Sequence, residues 1–114
     1  MNLKILGYEN DECANINGTH LVGEIKTTYD KLVEKFGKPT YTEADPYEKV
    51  ACEWTIDAAV VEDSPEYTDD DYFYKPFTVY CWKEGRIPTE EYSWHIGGHD
   101  YEAYEIAANI INGE

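Results

Sequence analysis

Apolar residues in the first third of the chain recur with the period of an α-helix. The stripe consists of Ile25, Tyr29, Leu32, Val33 and Phe36. This spacing places all five side chains on one face of a helix. Thr27 and Asp30 form a candidate capping pair at its start, because a hydroxyl and a carboxylate can satisfy the free amides of the first turn. Gly37 and Pro39 predict its end, since glycine accepts a left-handed cap and proline cannot continue the helix.

The end of the sequence predicts a second amphipathic helix, over residues 100–112. Its apolar stripe consists of Ala103, Ile106, Ala107, Ile110 and Ile111. Asp100 is a candidate N-cap and Gly113 a candidate C-cap. Both helices need an apolar surface on which to bury their stripes.

Alternation of apolar and polar residues, which is the pattern of half-buried strands, predicts a sheet that would provide this surface. It predicts three strands, over residues 50–61, 76–82 and 92–96. Their short connections favour an antiparallel meander, and the segments 3–6 and 19–25 are candidates for one further edge strand. The predicted fold class is therefore α+β: a three- to four-stranded antiparallel sheet with two helices packed on one face. No repeat or linker divides residues 1–114, so we expect a single domain.

The same alternation assigns residues to the sheet face that points away from the helices. Tyr80 and Trp82 fall on this face, because Phe77 and Cys81 alternate with them and face the helices. The first strand adds three polar residues to it, namely Glu53, Thr55 and Asp57. Aromatic and acidic side chains on an open face would form a binding platform. The alternative is that the N-terminal segment covers this face.

Net charge narrows the choice of partner. The chain has 114 residues, with 24 Asp and Glu against 9 Lys and Arg, and a formal charge of −15. Residues 51–114 contain fifteen of the acids and three of the bases, which leaves −12 there. Such a field opposes direct binding to nucleic acid or to anionic lipid and attracts a basic protein surface. The alternative is that the charge serves solubility alone.

Hydropathy and cysteine content predict a soluble protein of the reducing cytosol. No apolar run is long enough for a secretion signal or a membrane span. The three cysteines, Cys13, Cys52 and Cys81, are too few and too far apart for a disulfide framework. Cys52 and Cys81 fall within predicted strands, where a free thiol behaves as a small apolar side chain.

The stretch 62–72, between the first two predicted strands, is the strongest candidate binding segment. A minimal hairpin connection needs only about two to five residues. The acids of this stretch are Glu62, Asp63, Glu66, Asp69, Asp70 and Asp71, and Tyr67 and Tyr72 are interleaved with them. We therefore predict a binding site that combines these six acids with Tyr72, Tyr80 and Trp82.

No residue pattern indicates catalysis, a cofactor or a metal ion. His95 and His99 have a ligand-like spacing, but Gly97 and Gly98 interrupt it and favour a tight turn between strand and helix. The acids at 69–71 lack the alternation and the bend glycine of calcium loops. No nucleophile elbow, phosphate loop or Cys/His dyad is recognisable. The prediction is a protein that is not an enzyme and that carries no metal or cofactor.

Several segments together resemble a family of small proteins encoded by tailed bacteriophages. They are Gly-Thr-His-Leu-Val-Gly at 18–23, Thr-Tyr-Asp-Lys-Leu-Val-Glu-Lys-Phe-Gly-Lys-Pro at 28–39, Glu-Trp at 53–54, Tyr-Cys-Trp-Lys at 80–83 and Trp-His-Ile-Gly-Gly at 94–98. The resemblance implies a phage origin and an α+β fold, and it implies no particular activity. Residues 62–74 depart from the family pattern, which has a short turn there.

Phage origin and acidic charge together indicate an inhibitor of host defence, by analogy with acidic DNA mimics that block restriction or CRISPR effectors. The expected partner is the basic, nucleic-acid-binding surface of such a host protein, in the host cytosol. One alternative is a sponge for a nucleotide signal, formed by His95, Gly97, Gly98 and His99 with Trp82 and Trp94 beside them. The other is a minor virion or assembly protein.

Overall fold

A computed structural model describes residues 2–41, 50–82 and 86–113, without the side chains of positions 50, 51 and 82. Its elements are β1 (Leu3–Asn10), β2 (His20–Thr27), α1 (Tyr29–Phe36), β3 (Val50–Glu62), a 3₁₀ turn (Asp69–Asp71), β4 (Phe73–Trp82), β5 (Tyr92–Gly98) and α2 (Tyr101–Asn112). The five described strands form one sheet in the order β1-β3-β4-β5-β2. All four pairings are antiparallel. The α+β class and the central β3-β4-β5 meander are thus confirmed.

The predicted strand count of three to four is wrong, because both N-terminal segments form strands. β1 and β2 occupy opposite edges of the sheet. Each contains an irregularity in its pairing, between Ile5 and Gly7 in β1 and between Leu21 and Gly23 in β2. An extra residue in a strand reverses the side-chain alternation beyond it. The alternation of apolar and polar residues is therefore weak in both segments, although both pair with a neighbouring strand.

The first helix begins later than its apolar stripe suggests. Ile25 and Thr27 belong to β2, and the N-cap is Thr28, whose hydroxyl accepts a hydrogen bond from the Lys31 amide. Because β2 runs directly into α1, apolar residues of the strand also fit the spacing of the helix. The prediction of Thr27 as the capping residue is therefore wrong. The predicted end is confirmed, because Gly37 has a φ of 78° and its N–H donates to the Val33 carbonyl.

The helices bury one face of the sheet, and two tryptophans from β3 and β5, the strands on either side of β4, lie at its centre. The indoles of Trp54 and Trp94 meet edge to face with centroids 5.6 Å apart, and both are fully buried. Leu32 of α1 and Ile106 of α2 belong to the same core. The Trp54 Nε1 also donates to the Gly37 carbonyl at 3.0 Å, which ties the end of α1 to the sheet.

The predicted glycine turn between β5 and α2 is wrong, because Gly97 and Gly98 continue the strand. Gly97 is paired with Thr78 of β4, and Gly98 with Phe77. An added Cβ on Gly97 would lie 2.4 Å from the Thr78 hydroxyl oxygen, and one on Gly98 would lie 2.4 Å from the Ala103 Cβ. Close packing on both faces of the sheet, and not a turn, therefore requires glycine here.

The connection 11–19 joins the two edge strands and crosses the face of the sheet opposite the helices, called here the outer face. At its start, the Asp11 carbonyl accepts a hydrogen bond from Thr55 Oγ1 at 2.8 Å. Further along, the Asn15 carbonyl lies 3.1 Å from His99 Nε2, beside the end of β5. Thr55 and Thr78, in the middle rows of the outer face, are 1% and 3% exposed. The middle of this face is therefore covered.

The two tryptophans should respond differently to replacement by phenylalanine. We expect Trp54→Phe to lower the free energy of unfolding by about 1 kcal/mol more than Trp94→Phe, because only the first loses a hydrogen bond. Among the described residues no acceptor is within hydrogen-bonding reach of the buried Trp94 Nε1. Urea unfolding of both variants at one pH measures the difference. Equal losses, or a larger loss for Trp94→Phe, would contradict this interpretation.

Candidate protein-binding surface

The acidic segment between β3 and β4 is exposed and held by local hydrogen bonds. β3 extends through Glu62, so the irregular part begins one residue later than predicted, and it contains the 3₁₀ turn. Thr68 and Asp71 form a capping box, in which the Thr68 amide donates to Asp71 Oδ2 at 2.8 Å. The Asp63 amide donates to the Asn2 carbonyl at 2.8 Å, which fixes the segment against β1. The carboxylates are thus presented on an ordered surface.

Exposed aromatic rings lie beside these carboxylates. Tyr67 and Tyr72 are 42% and 49% exposed, and Phe73 and Tyr74, at the start of β4, are 40% and 53% exposed. The rings of Tyr72 and Tyr74 meet edge to face at 5.6 Å. Together we call this surface the acidic-aromatic end; it consists of Glu62, Asp63, Glu66, Tyr67, Asp69, Asp70, Asp71, Tyr72, Phe73 and Tyr74. Carboxylates and large rings in one exposed patch are a composition suited to protein recognition.

A groove of about 220 Å³ adjoins the acidic-aromatic end on the outer face. It crosses β1, β3 and β4 and is lined by Gly7, Tyr8, Glu9, Asp57, Ala59 and Tyr74. Gly7 is paired with Ala59, which is in turn paired with Tyr74, and Glu9 is paired with Asp57. An added Cβ on Gly7 would meet no atom within 4 Å. The groove exists because its central residues, glycine and alanine, are small.

Asp57 is an electrostatically unfavourable residue of this groove. Partial burial, followed by the nearby carboxylates of Asp11 and Glu9, raises the pKa of Asp57 above its ordinary value. Its Oδ1 atom is buried, and no described residue donates a hydrogen bond to it. None of the groove-lining residues is a Lys or an Arg. The groove therefore has two carboxylates and no cation of its own.

Tyr80 belongs to a different part of the outer face. Its ring stacks on that of His95, with centroids 5.5 Å apart, and His95 Nε2 lies 3.2 Å from a Glu24 carboxylate oxygen. Burial, and then the charge of Glu53, raises the pKa of Tyr80. The Thr55–Thr78 row lies between this cluster and the groove. The structure thus separates Tyr80 from the acidic segment, while the side chain of Trp82 lies outside the described residues.

The outer face is covered in its middle and partly accessible on either side. The connection 11–19 covers the middle, whereas β1, the N-terminal strand, lies at the edge of the sheet and covers nothing. Asp57 remains partly accessible on one side, as do Glu53 and Tyr80 on the other. The outer face therefore offers two separate patches in place of one continuous platform.

The residues of the nucleotide-sponge alternative whose side chains the structure describes are not brought together. Trp94 is buried among the helices, whereas His95 points to the outer face and His99 contacts the connection 11–19. The positions next to Gly97 and Gly98 are filled by Thr78 and Ala103. Within residues 2–41, 50–82 and 86–113, no group of three or more His, Cys, Asp or Glu side chains could hold a metal ion.

The structure also describes the three cysteines and the lengths of both helices. Cys52 and Cys81 are buried thiols and Cys13 is an exposed one, and none of the three forms a disulfide. A hydrogen bond with the Cys81 thiol, together with burial, raises the pKa of the Cys52 thiol and so favours its neutral form. Neither described helix is long and apolar enough to cross a membrane.

Sequence reasoning missed the groove. It placed Asp57 on the outer face but gave no role to Gly7, Glu9 or Tyr74. The available signal was a charged residue in the middle of an apolar strand, since Ile56 and Ala58 flank Asp57. A buried strand rarely carries a carboxylate without a structural partner or a function.

Comparison of the chain with family models, with curated proteins and with solved structures gave no match. The assignment of this surface therefore depends on its geometry and charge.

Replacement of Asp57 by asparagine should stabilise the protein at neutral pH. Because folding raises the pKa of Asp57, the folded state binds more protons in the window between the unfolded and folded pKa values, and stability falls as pH rises through it. We expect Asp57→Asn to raise Tm by a few degrees at pH 7. The gain should vanish below about pH 3, where the carboxyl is neutral in both states.

Thermal unfolding from pH 3 to pH 7 tests this expectation. Glu34→Gln is the matched control, because it removes one exposed carboxylate from α1 without touching the groove. A gain that is equal for the two variants, or one that is independent of pH, would contradict a local penalty at Asp57.

Proposed function

We propose that the protein is a non-enzymatic inhibitor whose acidic-aromatic end occupies the nucleic-acid-binding surface of a basic protein. The observation that supports this most directly is the position of exposed carboxylates beside exposed aromatic rings on one ordered end of the sheet. Ionised carboxylates can take the positions of phosphates against Lys and Arg side chains. The rings supply the apolar contact area on which a stable interface depends.

Charge neutralisation within the acidic segment is slight. Lys4 Nζ lies 3.4 Å from Asp69 Oδ1, and both side chains are well exposed, at 57% and 70%. Exposed ion pairs of this kind are weak and are screened by salt. Glu62, Asp63, Glu66 and Asp70 are exposed to solvent. A basic partner would therefore meet a surface whose negative charge is largely intact.

The resemblance to tailed-phage proteins supplies the biological context of the proposal. In that setting the partner is a host defence protein that binds DNA or RNA, and the encounter occurs in the host cytosol. Electrostatic steering would speed association and make binding sensitive to salt. The protein itself, with its −15 charge, would bind no nucleic acid.

Capture from host lysate tests the proposal if DNA is used as the competitor. Immobilised protein should retain basic nucleic-acid-binding proteins at about 50 mM salt and release them at about 500 mM, because screening weakens exposed charge pairs. Duplex DNA should also elute them, since it would compete for the same surface. Absence of any such protein at low salt, or retention that DNA does not reverse, would count against the proposal.

Removal of three carboxylates from the acidic segment should slow association with the captured partner. The suitable variant combines Asp63→Asn, Glu66→Gln and Asp70→Asn. It keeps Asp71, which completes the capping box, and Asp69, which contacts Lys4. We expect the association rate at low salt to fall by about tenfold, with a flatter salt dependence and little change in Tm.

Surface plasmon resonance at several salt concentrations measures both rates. The control combines Glu12→Gln, Asp30→Asn and Glu34→Gln, which removes the same number of exposed charges elsewhere. If both triple variants slow association equally, net charge alone accounts for binding. If neither does, the acidic segment is not part of the interface.

A further inference from the structure

The groove next to the acidic-aromatic end has the chemistry of a receptor for one cationic side chain. Its carboxylates come from Glu9 and Asp57, which are paired across β1 and β3, and the ring of Tyr74 lines it from β4. Gly7 and Ala59 leave its centre open. Its volume of about 220 Å³ is below the roughly 300 Å³ at which small-molecule pockets begin. A single protruding side chain is a closer match to this size than a nucleotide.

One carboxylate oxygen of Asp57 has no hydrogen-bond partner among the described residues. This atom, Oδ1, is buried. The nearest cation in the sequence of β4, Lys75, is engaged elsewhere, because its Nζ lies 3.0 Å from Glu102 and also contacts Asp100 at the start of α2. A buried carboxylate oxygen without a donor is costly. A ligand that donates hydrogen bonds would remove this cost.

We propose that the groove receives an arginine side chain of the basic partner, with its guanidinium between the carboxylates of Asp57 and Glu9 and against the ring of Tyr74. This inference rests on the proposed function, since it names the side chain that the partner would contribute to the interface.

Arginine fits the groove better than lysine for geometric reasons. The guanidinium is planar and has five N–H donors, so it can bond to two carboxylates at once and still lie flat on an aromatic ring. Lysine offers a single compact charge without a plane for stacking. Arginine is also enriched at the energetic centres of interfaces and on nucleic-acid-binding surfaces. The partner class and the shape of the groove therefore agree.

Titration with short peptides tests the inference without knowledge of the partner. The probe is acetyl-Gly-Arg-Gly-amide, and the controls are the same peptide with citrulline, which is neutral and of equal shape, or with lysine. In ¹H–¹⁵N spectra at low salt, the arginine peptide should shift the amides of Gly7, Glu9, Asp57, Ala59 and Tyr74 in a saturable manner. The citrulline peptide should shift none of them, and the lysine peptide should bind several-fold more weakly.

Three variants separate the effects of the Asp57 charge, the shape of the groove and the net charge of the protein on peptide binding. Asp57→Asn should weaken binding of the arginine peptide by about tenfold, because one charge-assisted contact is lost. Gly7→Val should block it with the charges intact, since the new side chain enters open space in the groove. Glu34→Gln should leave the affinity unchanged. Folding of each variant is checked by its spectrum before titration.

The possible outcomes are distinct. Equal binding of the arginine and lysine peptides, shifts outside the groove, or unchanged affinity in Gly7→Val would each overturn the inference. So would a saturable response of the same amides to Ca²⁺, which would make the groove a metal site. If the arginine peptide does not bind but DNA-displaceable capture persists, only the groove assignment fails. If it binds and no basic protein is captured, the proposed function fails and the groove assignment stands.

Discussion

The fold depends on the burial of one face of the sheet, and the tryptophan pair at its centre is the main contact of that face. Trp54 and Trp94 come from β3 and β5, which are separated by β4, so their edge-to-face contact spans the middle of the sheet. The hydrogen bond from Trp54 to Gly37 joins α1 to the same centre. The helices and both indoles bury the apolar side chains of this face. The outer face can therefore carry charged and polar residues without loss of the hydrophobic core.

The outer face is organised by the path of the chain. β1 and β2 lie at opposite edges, so the connection 11–19 must pass across the strands between them, and it does so over the Thr55–Thr78 row. This leaves a stacked Tyr80–His95 cluster on one side and the groove with Asp57 on the other. The groove in turn adjoins the exposed carboxylates and rings before β4. The groove and the exposed carboxylates and rings of residues 62–74 therefore lie at the same end of the sheet.

Much of the fold, but little of the site, could be predicted from the sequence. Helix α2 and the strands β3 to β5 have long regular patterns with clear caps, so periodicity identifies them. Bulges in β1 and β2 interrupt alternation, and a strand that runs straight into α1 hides the position of Thr28. The groove combines Gly7, Asp57 and Tyr74, which are distant in sequence and meet only through strand pairing. Local sequence patterns do not show which residues of different strands lie next to each other.

The positions of β1 and β2 also determine the order in which the chain can acquire its structure. Both strands precede their partners in the chain, since β1 pairs with β3 and β2 pairs with β5, the last of the described strands. During synthesis, β1 must therefore remain unpaired until β3 has been made, and β2 until β5 has been made. Pairing over such separations is slow and leaves strand edges open to other chains. β1 carries Lys4 and Glu9, and β2 carries Glu24 and Lys26, so neither waiting strand has a net charge that would oppose aggregation among nascent copies.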